Sequence, residues 1–227
     1  MKRYEFHCHT GFSPDATWAP LEMIRCALDR GQAAIALTDH VGVSNVESVL
    51  TALLSERESA RAWPEIEVFV GVEITHVPPV LIPEVAARAR RAGAEIILVH
   101  GETLVEPVAP GTNHAAVSCP DVDILAHPGL ISKEDAELAA RNDVFLELSA
   151  RRGHSLTNGH VAQGARDTGA RLILNTDAHQ PEDLISAEFA SRIALGAALS
   201  DSEATQLLAE NPERLLARLR PRSALSK

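Results

Sequence analysis

Along the 227-residue chain, short aliphatic runs alternate with longer stretches of helical period. Seven runs have strand length and β-branched or aliphatic character: 3–9 (RYEFHCH), 33–40 (AAIALTDH), 65–74 (EIEVFVGVEI), 94–100 (AEIILVH), 122–129 (VDILAHPG), 143–150 (DVFLELSA) and 170–179 (ARLILNTDAH). Between them the pattern predicts a helix over 19–31, with Leu21, Ile24, Cys26 and Leu28 as its apolar face and Gly31 as its stop. Further helices are predicted near 44–60, over 81–92 before Gly93, over 132–142 and 158–168, and at 182–198 and 201–219. No repeat, low-complexity segment or Ser/Gly-rich linker interrupts this order, so one α/β domain spanning 1–227 is expected. Buried-looking strands separated by helices predict a parallel sheet.

The polar residues at the ends of these runs decide which parallel fold it is. His7 and His9 close the first run, with Asp15 a short turn later. His40 closes the second, Glu73 the third, His100 the fourth, His127 the fifth, and Asp177 with His179 the seventh. Run six lacks an obvious ligand. In a closed parallel barrel all strand carboxyl ends open on one face, where barrel enzymes assemble their sites. An open doubly wound sheet would spread the same residues along a line, and no GxGxxG follows a strand. Residues at i and i+2 of a strand share a face, so His7 and His9 point together, as do Asp177 and His179, while Cys8 points into the core. Imidazoles and carboxylates gathered in this way suit zinc, manganese or iron.

Composition narrows the partners. The formal charge is −10 and aromatics make up 4% of the chain, which disfavours the basic, aromatic-rich surfaces that bind long nucleic acid. The basic run 88–91 (RARR) fits the last turn of a helix, where cations offset the dipole. Cys8, Cys26 and Cys119 are odd in number and without CxxC spacing, a reducing cytoplasmic pattern. No segment has the length and apolarity of a signal peptide or membrane span, and the pattern does not encode the oligomeric state.

Taken in order, "HCH…D", "TDH", "GVE", "VH", "AHPG" and "NTDAH" resemble the PHP (polymerase and histidinol phosphatase) family of metal-dependent phosphoesterases, from residue 7 to residue 179. The resemblance implies a distorted (β/α)7 TIM-like barrel carrying two to three divalent ions at the carboxyl ends of its strands. It implies a first ion on His7, His9, Glu73 and Asp177, a second on Glu73, His100 and His127, and a third on Asp15, His40 and His179. Many members carry histidine where this chain has Asp15; a carboxylate there shifts preference somewhat toward manganese or iron.

Three such ions, offset by Asp15, Glu73 and Asp177, would leave a pocket of roughly +3 that selects anions. An acidified water among the ions would attack a small phosphate monoester in line, without a covalent enzyme intermediate. Histidinol phosphate or a nucleotide-type substrate follows from the resemblance. Glu73 and Asp177 are candidate catalytic residues as well as ligands. After run six, Arg151 or Arg152 offers a bidentate phosphate clamp, Arg151 preferred, and His154 a general acid. His76, His114 and His160 are assigned to turns or helix surface, and Ser13 and Ser149 lack a base that would make them nucleophiles.

Two rivals compete. An amidohydrolase-type metal hydrolase also begins with HxH, but its binuclear members commonly use a carbamylated strand-end lysine, and the lysines here are Lys2, Lys133 and Lys227, none at a strand end. A catalytically silent PHP-like accessory module would tend to lose ligands that this chain retains.

Overall fold

A computed structural model describes residues 2–225, with Met1, Ser226 and Lys227 outside them. The strands are β1 (Arg3–Glu5), β2 (Gln32–Leu37), the two-residue β3 (His40–Val41), β4 (Glu67–Ile74), β5 (Ile96–His100), β6 (Ile124–Ala126), β7 (Phe145–Ser149) and β8 (Leu172–Asn175). The helices are α1 (Pro20–Asp29), α2 (Val46–Ala60), α3 (Ile82–Arg91), α4 (Thr112–Ser118), α5 (Lys133–Asn142), α6 (Asn158–Thr168), α7 (Ala187–Gly196), α8 (Asp201–Thr205) and α9 (Asn211–Leu225).

Seven strands pair in parallel in the order β1-β2-β4-β5-β6-β7-β8, and β3 pairs with the end of β4. The first and last strands meet beyond their own ends. His9 N–H donates to Ala178 O at 2.7 Å and Ala178 N–H to His7 O at 3.3 Å, so the barrel is nearly closed. With helices packed around it, this is the expected (β/α)7 TIM-like architecture.

Strand alternation sorts the side chains into two cores. Ile35, Leu37, Val70, Val72, Ile97 and Val99 face the helices. Tyr4, Phe6, Phe69, Ile96, Leu98, Ile124, Phe145 and Ile173 fill the barrel interior, and Leu215, Leu216 and Leu219 of α9 close its base. Following the interior columns upward at period two, 69–71–73 reaches Glu73, 96–98–100 reaches His100, and 145–147 reaches Glu147. Gly71 allows one of these columns to approach its neighbour, since a Cβ there would lie 2.0 Å from Ile96 O.

The structure adjusts several expectations. Regular β1 ends at Glu5, so His7 and His9 lie on the extended segment beyond it, held by Cys8 bridging to Ala178. Run two stops at Leu37, and His40 opens β3 instead of ending β2. The buried stripe of α1 is Pro20, Met23, Ile24 and Ala27, whereas Leu21, Cys26 and Leu28 are half-buried at its edges. Gly31, at φ +72°, does stop that helix. The helix expected over 201–219 is interrupted by a π-turn at 206–210 and runs on to Leu225, and α4 has no counterpart among the expected helices. Cys8 is fully buried in the outer core. The basic run lies in the last turn of α3, as expected, and is further tied down there: Arg88 pairs with Glu47, and Arg90 with Asp123. Among the described residues no helix is long and apolar enough to cross a membrane.

Candidate metal centre

The segments leaving the strands turn sharply inward at the carboxyl-end mouth of the barrel. His127 and Asp177 both have positive φ, +26° and +51°, a costly backbone for non-glycine residues that re-aims each side chain after its strand. Buried Asp39 anchors the first loop, accepting Thr10 N–H at 2.7 Å and Ser13 O–H at 2.6 Å. The Ser13 hydroxyl lies 3.2 Å from His9 Nδ1 and receives His40 N–H at 3.0 Å. The Ser13 hydroxyl thus ties the first loop to Asp39 and to the His40 amide, so the base that the sequence did not show beside Ser13 is present as a carboxylate and an imidazole.

All nine residues singled out from the sequence converge here. His7, His9 and Glu73 bring one ligand atom each within 4.8 Å of one another, as do Glu73, His100 and His127, with Glu73 shared. His7, His127 and Asp177 form another such group, and His9, His40 and His179 a fourth. Asp15 Oδ2 lies 3.1 Å from His179 Nε2 and 3.5 Å from His40 Nε2, which gathers the third expected set.

Seven of the nine present a buried polar atom without a hydrogen-bond partner: His7 Nε2, His9 Nε2, Glu73 Oε1, His100 Nδ1, His127 Nδ1, Asp177 Oδ1 and His179 Nε2. Orphaned buried polar atoms cost about 1–3 kcal/mol each, so a shared absence of partners needs a cause. A bound cation would supply it. His7 Nε2 lies 3.4 Å from Glu73 Oε1 and 3.5 Å from Asp177 Oδ1, and His127 Nε2 lies 3.3 Å from Glu73 Oε1. The donor set of imidazole and carboxylate fits a divalent transition ion.

Protons settle where carboxylates crowd. Burial lowers the His7 imidazole, but Glu147, Glu73 and Asp177 outweigh it and hold it well above its ordinary value. Burial likewise opposes His40, yet Glu73 and Asp15 raise it to about 10. Burial and the His40 charge push His9 down to about 3. Burial, with His127 beside it, lowers His154 to about 4, which counts against His154 as a proton donor near neutral pH.

The cluster floors a cavity of about 440 Å³ whose walls include Asn45, Thr75, His76, Glu106, Arg151 and His154. Arg151 is drawn inward, its Nη1 lying 2.7 Å from His179 Nδ1 and donating to Asp177 O at 3.0 Å. Arg152 lines an adjoining space of about 610 Å³ instead. His154 is buried, 3.5 Å from Asp177 Oδ2, with Nδ1 at 2.7 Å from Thr103 Oγ1. His114 and His160 lie on α4 and α6, as assigned. His76 does lie in a turn, but it has positive φ (+53°) and faces the cavity. Lys2 is exposed and Lys133 opens α5, away from the strand ends, while Lys227 lies outside the described residues.

Two residues escaped the sequence reading. Glu147, on the strand assigned no ligand, contacts His7 Nδ1 at 2.8 Å. Glu106 contacts His100 Nε2 at 2.8 Å, and that hydrogen bond lowers its carboxyl to about 2. Inward placement at position 147 was available from the alternation in FLELS. Glu106 sits in an irregular loop with no periodicity to read.

Comparison with known proteins follows this geometry. An uncharacterized protein of Methanocaldococcus jannaschii is 48% identical over 96% of this chain and 100% of its own length. Ribonuclease P protein component 3 of Methanosarcina barkeri is 27% identical, covering 97% of this chain and 91% of that protein. A histidinol phosphate phosphatase from Lactococcus lactis, solved with zinc, L-histidinol and phosphate, superposes with a TM-score of 0.63 at 13% identity, covering 88% of this chain and 95% of that one. A chain of archaeal ribonuclease P, solved with mature tRNA, gives 0.65 at 17% identity over 99% and 91%. Amidohydrolases are structural neighbours too, one from an environmental Sargasso Sea sample at 0.57 and 15% identity, covering 96% of this chain and 66% of that one, a likeness of fold alone. The PHP domain profile matches residues 5–213, from the end of β1 into α9, and on that match the chain belongs to the PHP domain family.

Proposed function

We propose that this protein is a metal-dependent phosphoesterase that hydrolyses small phosphate monoesters. The observation that carries the proposal is the convergence of buried histidines and carboxylates, seven of them with a buried polar atom lacking a hydrogen-bond partner, beneath an open cavity beside an inward-drawn arginine. In this reading His7, His9, Glu73 and Asp177 hold one ion, Glu73, His100 and His127 a second, and Asp15, His40 and His179 a third. Zinc, manganese or iron bound there supplies Lewis acidity for the phosphoryl oxygens and a water acidified toward hydroxide.

The chain's own groups do the rest. Glu73 and Asp177 hold the reacting centre in register from β4 and from the turn after β8. Arg151, reaching in from the loop after β7, clamps phosphate oxygens with its planar fork, and its contacts to Asp177 O and His179 pre-orient it. His154, neutral near pH 7, orients the leaving oxygen by hydrogen bonding. The cavity volume suits a small substrate of the size of histidinol phosphate or a mononucleotide.

The test is phosphate release from histidinol phosphate, mononucleotides and an aryl phosphate by protein reloaded with manganese, zinc or iron in turn. Metal-dependent release that is absent in Asp177→Ala supports the proposal. Metal uptake without release from any ester defeats it.

A second reading is favoured by the relatives named ribonuclease P protein component 3: an accessory module in an RNA-processing assembly. The acidic surface argues against a long, nonspecific nucleic-acid track but leaves a protein-mediated place in such an assembly open. Co-purification with RNA and other protein subunits, together with absence of phosphatase activity in the metal-loaded protein, would favour it.

A further inference from the structure

β7 delivers no ligand, yet its central residue is a carboxylate buried at the level of the metal centre. Glu147 is buried, and among the described residues it contacts a backbone N–H, an amide NH₂ and the His7 ring nitrogen Nδ1. Its Oε1 receives Asn175 Nδ2–H at 2.8 Å, and its Oε2 receives His127 N–H at 3.0 Å. With both oxygens already accepting, the remaining 2.8 Å contact is the His7 Nδ1–H donating to Oε1.

That bond selects between two forms of His7. Glu73 Oε1 and Asp177 Oδ1, at 3.4 and 3.5 Å, draw the imidazole proton toward Nε2, where it would block the ligand atom. Glu147 draws it toward Nδ1 from a shorter distance, leaving the Nε2 lone pair for a cation. The same side chain ties down the amide of His127, whose backbone is held at φ +26°. Its third partner, Asn175, also accepts Phe6 N–H at 3.1 Å and so spans the seam between β8 and β1. One carboxylate thus sets the ring of one candidate ligand and the backbone of another, on the two sides of β7.

We infer that Glu147 is a positioning residue of the metal centre, fixing the His7 proton on Nδ1 so that Nε2 can take an ion and holding the turned backbone of His127. The inference rests on the metal reading above and deepens it. Carboxylate partners of metal-bound histidines generally orient the ring and raise its basicity, and their loss costs about 10- to 100-fold in metal affinity.

The experiment measures zinc affinity by competition with a chromophoric chelator, and the His7 tautomer by long-range ¹H–¹⁵N correlation in ¹⁵N-histidine-labelled protein. Wild type, Glu147→Ala, Glu147→Gln and Asn175→Ala are compared, each checked for folding by circular dichroism. Expected for Glu147→Ala are a loss of about 10- to 100-fold in affinity for one ion, retention of the Asp15–His40–His179 ion, and, in metal-free protein brought to a pH at which the His7 ring is neutral, transfer of its remaining proton to Nε2. Glu147→Gln, isosteric and safer for folding, should lose affinity in the same direction, because its amide NH₂ opposes His127 N–H. Asn175→Ala, which relieves Glu147 of one partner without touching His7, should keep the tautomer and most of the affinity.

Wild-type affinity in Glu147→Gln, or a folded Glu147→Ala with its proton still on Nδ1, overturns the role of Glu147 while leaving the metal reading standing. Equal losses in Asn175→Ala and Glu147→Ala also overturn it, since seam integrity would then explain both. Wild type that takes up neither zinc, manganese nor iron overturns the metal reading itself, a result that no Glu147 outcome can imitate.

Discussion

Under the proposed phosphoesterase reading, single side chains in this barrel mouth have different tasks toward a phosphate. Asp177 sits 3.1 Å from His9 Nε2 and 3.5 Å from His7 Nε2, so Asp177→Asn removes the charge that two ligand rings face. Metal content measured by plasma mass spectrometry should fall by at least one ion, and phosphate release by more than about a hundredfold, since outer-shell partners alone cost about 10- to 100-fold. Arg151 contacts the centre from outside, and a charge-assisted hydrogen bond is worth about 1.5–3 kcal/mol. Arg151→Ala should therefore raise KM about 10- to 100-fold with unchanged metal content, and Arg151→Lys should restore only part of it because a point charge replaces a fork. Unchanged KM in both variants would remove Arg151 from the clamp. The nine candidate ligands were legible because histidine and acid residues recur at strand ends, a pattern tied to chain order. Glu147 and Glu106 were not, since each acts through another side chain and sequence spacing carries no trace of who accepts from whom.

At the level of elements, the base of the barrel is separable from its mouth. Leu215, Leu216 and Leu219 of α9 pack on Tyr4, Phe69 and Phe145, and Tyr4 O–H donates to Glu213 Oε1 at 2.5 Å. Leu216→Ala should destabilise the fold by about 2–5 kcal/mol in urea unfolding, with metal content unchanged. Tyr4 is the chain's one tyrosine, so absorbance at 295 nm titrates it alone. Burial, then the Glu213 contact, raises its phenol to about 12, against about 10 in an unfolded chain. A folded pKa above the unfolded one means the folded state holds the extra proton between these values. The associated stability is thus complete below about pH 10 and is lost as pH rises toward about 12. Glu213→Gln should move the midpoint down; an unmoved midpoint would show that burial alone sets it. Strand cores and the main helices could be read from periodicity, because apolar alternation is what a parallel barrel buries. The end of β1 at Glu5 could not, because residues 6–9 keep extended geometry while their pairing passes to Ala178 through a single bridge. Nor could α4, whose seven residues, TNHAAVS, are too few for a helical period to show.

Across the whole molecule, the metal reading makes stability a property of the ions as well as the chain. The protein concentrates carboxylates and imidazoles at one end of a barrel that otherwise packs like any apolar core, so the mouth is held together most weakly when its ligand atoms face each other without a cation. Ion binding to the folded state alone stabilises by mass action, about 4.1 kcal/mol for one site at a thousandfold excess over its Kd. For a chain of this size each kcal/mol moves Tm by about 2–4 °C, so removing the ions with chelator should lower Tm by about 8–16 °C for each site of that affinity. Re-addition of zinc or manganese should restore Tm in a concentration-dependent way. Asp177→Asn should blunt the response, whereas Leu216→Ala, far from the ions, should lower Tm in both states and keep the increment. An increment that survives Asp177→Asn intact would place the stabilising ion elsewhere in the molecule. No increment at all, with the cluster's geometry as it stands, would mean that protons on His7 and His40 already balance its carboxylates. The seven orphaned atoms would then need an explanation other than metal.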